Sequence, residues 1–322
     1  MEIYRTEDGK VSKYIHNDGS ETAVKTNNSC SNLLDADGNV VVTEVDRNKY
    51  SVFISSSAGC PLGCKFCYLT TKKYPYSKLS TDQIVKNFKE ALTDAVSHDS
   101  SIKDKYIKLS WMGMGDVFLL DPYKVRKASE EMLDWVVNRY GFATGVDGID
   151  MSTVLPNDGI GWGYQLAMLN DYVRGNYKIN PTAIDRSAVR LFYSMHSPTR
   201  RKDLIPCSKS NSPGGDLAYL NLLNKMFGID TVIHYMLLKG INDNVLALSD
   251  TEQLIKSTIR NAEFRILRYN DCGETGYHET DKFEEMVKAY SKALPSLKYQ
   301  ISSGSEIQAA CGQFICRKTE KS

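Results

Sequence analysis

Residues 55–70 read SSSAGCPLGCKFCYLT and follow directly on the apolar run YSVFISS of residues 50–56. The run, with Tyr50, Val52 and Ile54 alternating, reads as a β-strand that delivers its C-terminal end into a loop of glycine, proline and cysteine. Cys60, Cys64 and Cys67 stand in the pattern Cys-x-x-x-Cys-x-x-Cys. Three thiolates can hold three irons of a 4Fe-4S cluster, whose usual complement is four cysteines, so one iron stays open to a small molecule. Gly59 and Gly63 would let the backbone wrap closely around such a group, because glycine tolerates positive φ and carries no side chain. Zinc is the competing reading, but its structural sites usually pair one Cys-x-x-Cys with a second pair downstream, and no second pair exists in the sequence.

Beyond the loop, strand patterns alternate with amphipathic helices. Ser80 and Gln83 have the spacing of a capping box ahead of Val85, Phe88 and Leu92, which share one helical face. YIKLSWMGMGD reads as a strand entering a glycine turn, and Asp121-Pro122 opens a helix carrying Val125, Met132 and Val136. Further strands are expected at VRLFYSMHS, DTVIHYMLL and EFRILRYN, with helices near 216–227, 251–260 and 281–293. The glycine-rich stretch GFATGVDGIDMSTVLPNDGIGWG supports only a strand around Ile149 to Val154. Strand-then-helix alternation predicts parallel strands joined by right-handed crossovers, closing into an α/β partial barrel with its functional loops at the C-terminal strand ends. Ahead of it, Asp8-Gly9, Asp18-Gly19 and Asp37-Gly38 mark hairpins, so residues 1–50 are expected to form a small β-rich extension, 51–300 the barrel and 301–322 a C-terminal segment.

The chain has 322 residues, 42% hydrophobic and 25% charged, in the range of a globular protein large enough for one barrel. No apolar run reaches the length of a membrane span, and the polar start MEIYRTEDGK is unlike a signal peptide, so no membrane partner and a cytoplasmic location are expected. In a reducing compartment the eight cysteines read as ligands, catalytic thiols or buried residues rather than disulfides. Net charge is +1, from 40 basic and 39 acidic residues, so any contact with RNA must be local. The nearest basic patches are Lys72-Lys73 beside Tyr74 and Tyr76, then Arg200-Arg201-Lys202, then Arg317-Lys318.

The cysteine loop bears the signature of radical-SAM enzymes, which the chain resembles here; Phe66, before the last cysteine, is placed where that family contacts adenine. SSSAGCPLGCKFC, MGMGD, MSTV, FYSMHSPTRRKDLIP, MLLKGIND, LRYN and EIQAACGQF occur in the order, and at roughly the spacing, seen in the RlmN and Cfr adenine methyltransferases of ribosomal RNA. The resemblance runs from about residue 8 to 316 and implies a radical-SAM partial (β/α)6 barrel with a 4Fe-4S cluster and S-adenosyl-L-methionine (SAM) as cofactors. It implies that Gly113, Met114, Gly115 and Asp116 bind the amino and carboxyl ends of SAM, with Asp in place of the family's Glu. Ser152, Ser194 and His196 fall on SAM-contacting positions and Asn270 on an asparagine near the transfer site; Glu21 aligns with an acid that could relay a proton. Taken alone, Gly-x-Gly reads as a turn, Ser194 with His196 as a polar patch and Asn270 as a turn cap.

The resemblance further implies that Cys311 accepts a methyl group from one SAM, as a soft nucleophile can. A second SAM at the open iron is split by one electron from a flavodoxin- or ferredoxin-like reductant. Its 5'-deoxyadenosyl radical takes hydrogen from the methyl on Cys311, which then adds to an adenine carbon. The target adenosine must leave its stack to reach the site. Arg200, Arg201 and Lys202 are candidate phosphate contacts, and Tyr74 and Tyr76 candidate stacking surfaces. Two departures stand out. The family's second cysteine, which releases the product, is Phe53 here, with Cys30, Cys207, Cys272 and Cys316 as other thiols, and the helical domain that usually precedes the core is not seen. The alternatives are therefore an RNA adenine methyltransferase and a radical-SAM enzyme acting on a nucleotide, small molecule or peptide without completing RNA methylation; an iron-sulfur sensor would have no need of the SAM-binding blocks.

Overall fold

The computed structural model describes residues 1–26, 31–34, 40–44, 48–140, 145–156, 159, 161–207, 212–259, 261–271, 273–294, 297–300, 307, 309 and 313. Cys30, Cys272, Cys311, Cys316, the Asp37-Gly38 turn and Arg317-Lys318 lie outside them. Five strands come first: β1 (Glu2–Arg5), β2 (Val11–Ile15), β3 (Glu21–Lys25), β4 (Ser31–Leu34) and β5 (Val40–Glu44). Then β6 (Lys49–Phe53) enters the cysteine loop, which contains β7 (Ser57–Ala58), α1 (Tyr68–Thr71) and β8 (Ser77–Lys78). The alternating part follows as α2 (Thr81–His98), β9 (Tyr106–Trp111), α3 (Pro122–Tyr140), β10 (Val146–Thr153), α4 (Trp162–Asn176), β11 (Val189–Ser194), α5 (Arg201–Leu204), α6 (Pro213–Phe227), β12 (Asp230–Met236), α7 (Val245–Thr258), β13 (Glu263–Leu267), α8 (Phe283–Ala293) and β14 (Leu297–Gln300).

Among the described residues twelve of these fourteen strands make one sheet in the order β1-β2-β3-β6-β9-β10-β11-β12-β13-β14-β4-β5, and β7 and β8 pair separately. Strand pairs from β6 through β14 are parallel, as the crossover helices require. The expected α/β barrel-type fold is thus present: six strands from β6 to β13 with their helices, and β14 as a further parallel strand. The β-rich extension is present too, and it serves both ends of the sheet. Strands β1 to β3 pair antiparallel onto β6, while β4 and β5 pair antiparallel onto β14. Gly9 and Gly19, at φ 67° and 82°, turn the first two hairpins as their Asp-Gly sequences predict.

The period of two along each strand separates two chemistries. Ile107, Leu109, Ile149, Met151, Leu191, Tyr193, Ile233, Tyr235, Phe264 and Ile266 face the helices and join Phe88, Leu92, Met132 and Leu166 in the main core. Each such side chain contributes about 1.5–3 kcal/mol through its burial. The alternate positions carry charge. Asp150 accepts from Arg190 at 3.0 and 3.1 Å and pairs with Lys108; Asp147 pairs with Arg186 at 2.9 Å and Lys49 at 3.7 Å; Glu263 pairs with Arg265 and, at 3.4 Å, with Lys298. Arg190 and Arg265 both lie over the ring of Phe192, at 5.0 and 5.5 Å. The face turned away from the helices is therefore a series of ion pairs, and its buried carboxylates keep low pKa values: Glu263 is brought down to about 2 by Arg265, Lys298 and Arg190, against the opposing effect of burial.

Helix α2 starts where the sequence says it should, whereas α7 starts at Val245, six residues ahead of the expected 251. Ser80 Oγ accepts from the Gln83 amide while the Gln83 side chain accepts from the Ser80 amide, completing the capping box at α2. The glycine-rich stretch holds β10, where a strand was expected around Ile149 to Val154, and the start of α4, which the sequence left unassigned. Helix α4 has Gly161 in the left-handed region at its N-cap, with no capping side chain. Gly163 inside it leaves room for Phe227 and Leu223, which would sit 2.8 and 2.9 Å from an added Cβ.

Candidate functional site

The cysteine loop leaves the C-terminal end of β6 and is closed at its own base, where β7 pairs antiparallel with β8. Closure brings the backbone of residue 59 against Pro75: a Cβ at Gly59 (φ 69°) would lie 2.5 Å from the Pro75 carbonyl oxygen, so glycine is required there. Cys67 caps α1, whose first amides accordingly point back along the loop. Three clasps hold the loop down. The Lys65 amide donates to Leu204 O at 2.9 Å, Tyr269 Oη donates to Phe66 O at 3.1 Å, and Tyr74 Oη donates to Gly19 O at 3.1 Å.

Within this frame Cys60 and Cys67 pack with Leu69, Tyr74 and Met114. Cys64 packs on the other side with Leu62, Phe66, Val154, Leu204, Met236 and Tyr269. Burial pushes the Cys60 thiol up to about 12, with Cys67, Asp116 and Cys207 adding to the shift, and Cys64 is raised well above its ordinary value for the same reasons. Among the described residues no group of three His, Cys, Asp or Glu converges closely enough to hold a single metal ion. Three cysteines in one loop, all without a disulfide, are the type of donor that an iron-sulfur cluster takes.

The glycine turn after β9 is built against the start of the loop. Ser55 Oγ accepts from the Met114 amide at 2.9 Å and donates to Glu21 O; Ser56 Oγ donates to Met114 O at 3.2 Å. A Cβ at Gly113 would lie 2.6 Å from the Ser55 amide nitrogen, and one at Gly115 (φ 85°) would overlap Ser56 Oγ and Ser57 Oγ. Gly113 is therefore needed for contact between two backbones, and Gly115 to make room for the two serine hydroxyls. Asp116 is buried and spends its carboxylate internally, accepting from Phe118 N at 2.9 Å and Val154 N at 2.8 Å, with burial pushing its pKa up to about 6. It pins the end of β9 to the end of β10.

Ser152 lies half-buried on β10, beside Phe192 of β11, and Ser194 closes β11. His196, two residues on, is buried with φ 56°, a left-handed value costly for a side-chain-bearing residue. Its Nδ1 accepts from the Met236 amide at 3.2 Å, which places the ring proton on Nε2; burial, aided by the charge of Arg201, pushes its pKa down to about 3. The ring meets Phe66 edge-on at 5.0 Å, so two residues 130 positions apart form one aromatic wall beside the cysteines. Asn270 sits half-buried just past β13, next to the loop-clasping Tyr269. Glu21, on β3, is buried and paired with Lys13 at 3.0 Å, and it joins the site through its backbone bond to Ser55. Cys311 lies outside the described residues, but Ala309 packs with Val11 and Ala23, beside Phe53 and Ile307.

Arg201, expected as a phosphate contact, is instead fully buried: its guanidinium donates to Val154 O at 2.6 Å and Ser194 O at 3.3 Å and lies over Tyr193. It ties the ends of β10 and β11 together. Arg200 and Lys202 remain at the surface, with Arg200 paired to Asp203 at 3.1 Å. Lys72 pairs with Glu274 and lies over Tyr68, while Tyr76 is exposed. Asn242 was not singled out by the sequence as a site residue. It is fully buried, donates to the carbonyls of His196 and Met236 at 2.5 and 2.6 Å, and accepts from Leu238 N at 2.7 Å, supporting the strained turn at His196. The block MLLKGIND was its only signal.

No family model matches the sequence. The chain is similar to a probable dual-specificity RNA methyltransferase RlmN of Chlorobium phaeobacteroides, 27% identical over 301 residues, covering 90% of this chain and 74% of that protein. It is similar to one of Phocaeicola vulgatus, 24% identical over 282 residues, covering 86% and 70%. Among solved structures, a radical SAM methyltransferase from Sphaerobacter thermophilus shares the fold, with a TM-score of 0.67 at 20% identity over 97% of this chain and 80% of that one. The resemblance read from the sequence is borne out, and with it the expectation of an enzyme of the radical-SAM methyltransferase type.

Proposed function

We propose that this chain methylates an adenine carbon in RNA, using a 4Fe-4S cluster on Cys60, Cys64 and Cys67 and SAM bound along the rim from Gly113 to Asp116, Ser152, Ser194, His196 and Asn270. The observation that carries the reading is the cysteine loop: three thiols at the C-terminal end of β6, clasped by Leu204 and Tyr269 and walled by Phe66 against His196. The names of its relatives support RNA as the substrate class.

When bound, the cluster and SAM supply one-electron cleavage of a sulfonium, chemistry no side chain can perform. The chain's own residues do the placing. Phe66 and His196 offer an apolar wall for an adenine ring, and the neutral imidazole presents a proton at Nε2 rather than a charge. The backbone of the 113–115 turn, fixed by Ser55 and Ser56, offers polar groups to the amino acid end of SAM. Cys311, two residues after Ala309 in sequence, would carry the methyl group, and Glu21, paired with Lys13, would relay a proton. The domain plan that goes with this is an extension at 1–50, a barrel at 51–300 and a methyl-accepting segment at 301–322. A cytoplasmic setting with a flavodoxin- or ferredoxin-like reductant belongs to the same reading; no helix among the described residues is long and apolar enough to cross a membrane.

Phe53 favours a second reading. Its ring, under Lys25 at 4.8 Å and beside Ile307, occupies the place of the family's second cysteine and cannot attack a thioether. A radical-SAM reaction on a nucleotide, small molecule or peptide, without completed RNA methylation, would need no such cysteine. Anaerobic reconstitution with SAM, dithionite and RNA, followed by mass analysis of RNA, small molecules and Cys311, separates the two. Methyl on Cys311 and methylated adenosine support the first reading; 5'-deoxyadenosine with unmodified RNA supports the second. Protein that takes up no four-iron cluster refutes both.

A further inference from the structure

Side chains continue the β11–β12 ladder past its last backbone rung. Met195 N donates to His234 O at 3.1 Å, and in a parallel pair the next rung would run from Met236 N to Met195 O. Met195 O is instead taken by Ser197 N at 2.8 Å, closing a three-residue γ-turn around His196, whose φ of 56° belongs to the rare and strained hand of that turn. The His196 ring fills the missing rung, because its Nδ1 accepts from Met236 N at 3.2 Å. Two carbonyls remain, His196 O and Met236 O, and Asn242 Nδ2 donates to both, at 2.5 and 2.6 Å. Its Oδ1 accepts from Leu238 N at 2.7 Å, so the loop after β12 holds the amide in turn. Asn242 is fully buried, and no water would replace it. An ionised aspartate in its place could donate to neither carbonyl.

The ring so held meets Phe66 edge-on at 5.0 Å, and Phe66 is itself tied down where its carbonyl accepts from Tyr269 Oη at 3.1 Å. A strained turn persists only while its surroundings hold it, so loss of the donor to the two carbonyls would let His196 return to negative φ and swing its ring off Phe66. We propose that Asn242 is a positioning residue of the SAM site: it holds the γ-turn that keeps the His196 imidazole against Phe66, and through that ring it acts on the adenine of SAM and not on its amino acid end. This rests on the reading above that Phe66 and His196 face adenine.

The test compares reconstituted wild-type protein with Asn242→Asp, Asn242→Ser and Phe66→Ala, with circular dichroism to check folding. Asn242→Ser keeps one donor and one acceptor and carries the test where Asn242→Asp does not fold. Crystal structures should show His196 at positive φ against Phe66 in wild type, and at negative φ with its ring turned away in the Asn242 variant. Equilibrium dialysis should show several-fold weaker binding of SAM to that variant and unchanged binding of L-methionine, which has the amino acid end without adenosine. An unmoved His196, an unchanged SAM affinity, or an equal loss of both ligands overturns the proposal, provided that Phe66→Ala weakens SAM. If Phe66→Ala binds SAM as tightly as wild type, the adenine reading falls and the proposal with it.

Discussion

Lys13 Nζ lies 3.0 Å from Glu21 Oε2 across the β2–β3 pair, with the side chains 3% and 2% exposed. A pair buried this deeply has given up its hydration, so removing one partner strands the other. Glu21→Gln should cost about 3–5 kcal/mol in urea unfolding, and Lys13→Met paired with Glu21→Leu should recover most of it. A single substitution within experimental error of wild type would mean that water reaches the pair.

Two glycine-to-alanine changes should move stability in opposite directions. Gly113→Ala places a Cβ 2.6 Å from the backbone of Ser55, where neither strand end can yield, and should destabilise by about 1–3 kcal/mol. Gly175→Ala meets nothing within 4 Å inside α4 and should stabilise by about 0.5–1 kcal/mol. Thermal melts of the two variants read both signs.

Asp216 is buried on α6, accepts from Tyr193 Oη at 2.7 Å, and has its pKa pushed up by burial from 3.8 to about 6. Because the folded state holds this proton more tightly than the unfolded chain, the contribution of Asp216 is fully present below pH 3.8 and is lost as pH rises through about 6. Asp216→Asn keeps an acceptor for Tyr193 and cannot ionise. Its stability relative to wild type should rise between these pH values by an amount on the order of 2 kcal/mol and then level off. A pH-independent difference would show that Asp216 stays solvated in the folded protein.

The six parallel strands β6, β9, β10, β11, β12 and β13 were legible because the alternation that puts Ile107, Leu109 and Leu191 against the helices is written in consecutive residues, whereas β14 and the return of β4 and β5 to it were not. Helix α2 was legible from Ser80 and Gln83. Helix α4 was not, because a glycine occupies its N-cap and Gly163 is there to admit Phe227 and Leu223 of α6, a contact of high sequence separation. In the site, the cysteines could be read from spacing. The internal use of Asp116 and the burial of Arg201 could not, since each depends on carbonyl or amide groups at the ends of other strands. A run of Arg-Arg-Lys gives no sign that its middle member turns inward.

The ion pairs along the inner face have a consequence for how the sheet assembles. Moving a parallel strand by one residue against its neighbour reverses which side chains point inward. A slip of β11 would carry Arg190 into the apolar layer among Leu166 and Leu191's former neighbours and leave Asp150 without its guanidinium. A sheet with an oily interior would tolerate such errors more readily. Here β9, β10, β11, β13 and β14 each carry a paired charge that is lost when the strand is out of register, so misalignment is penalised strand by strand.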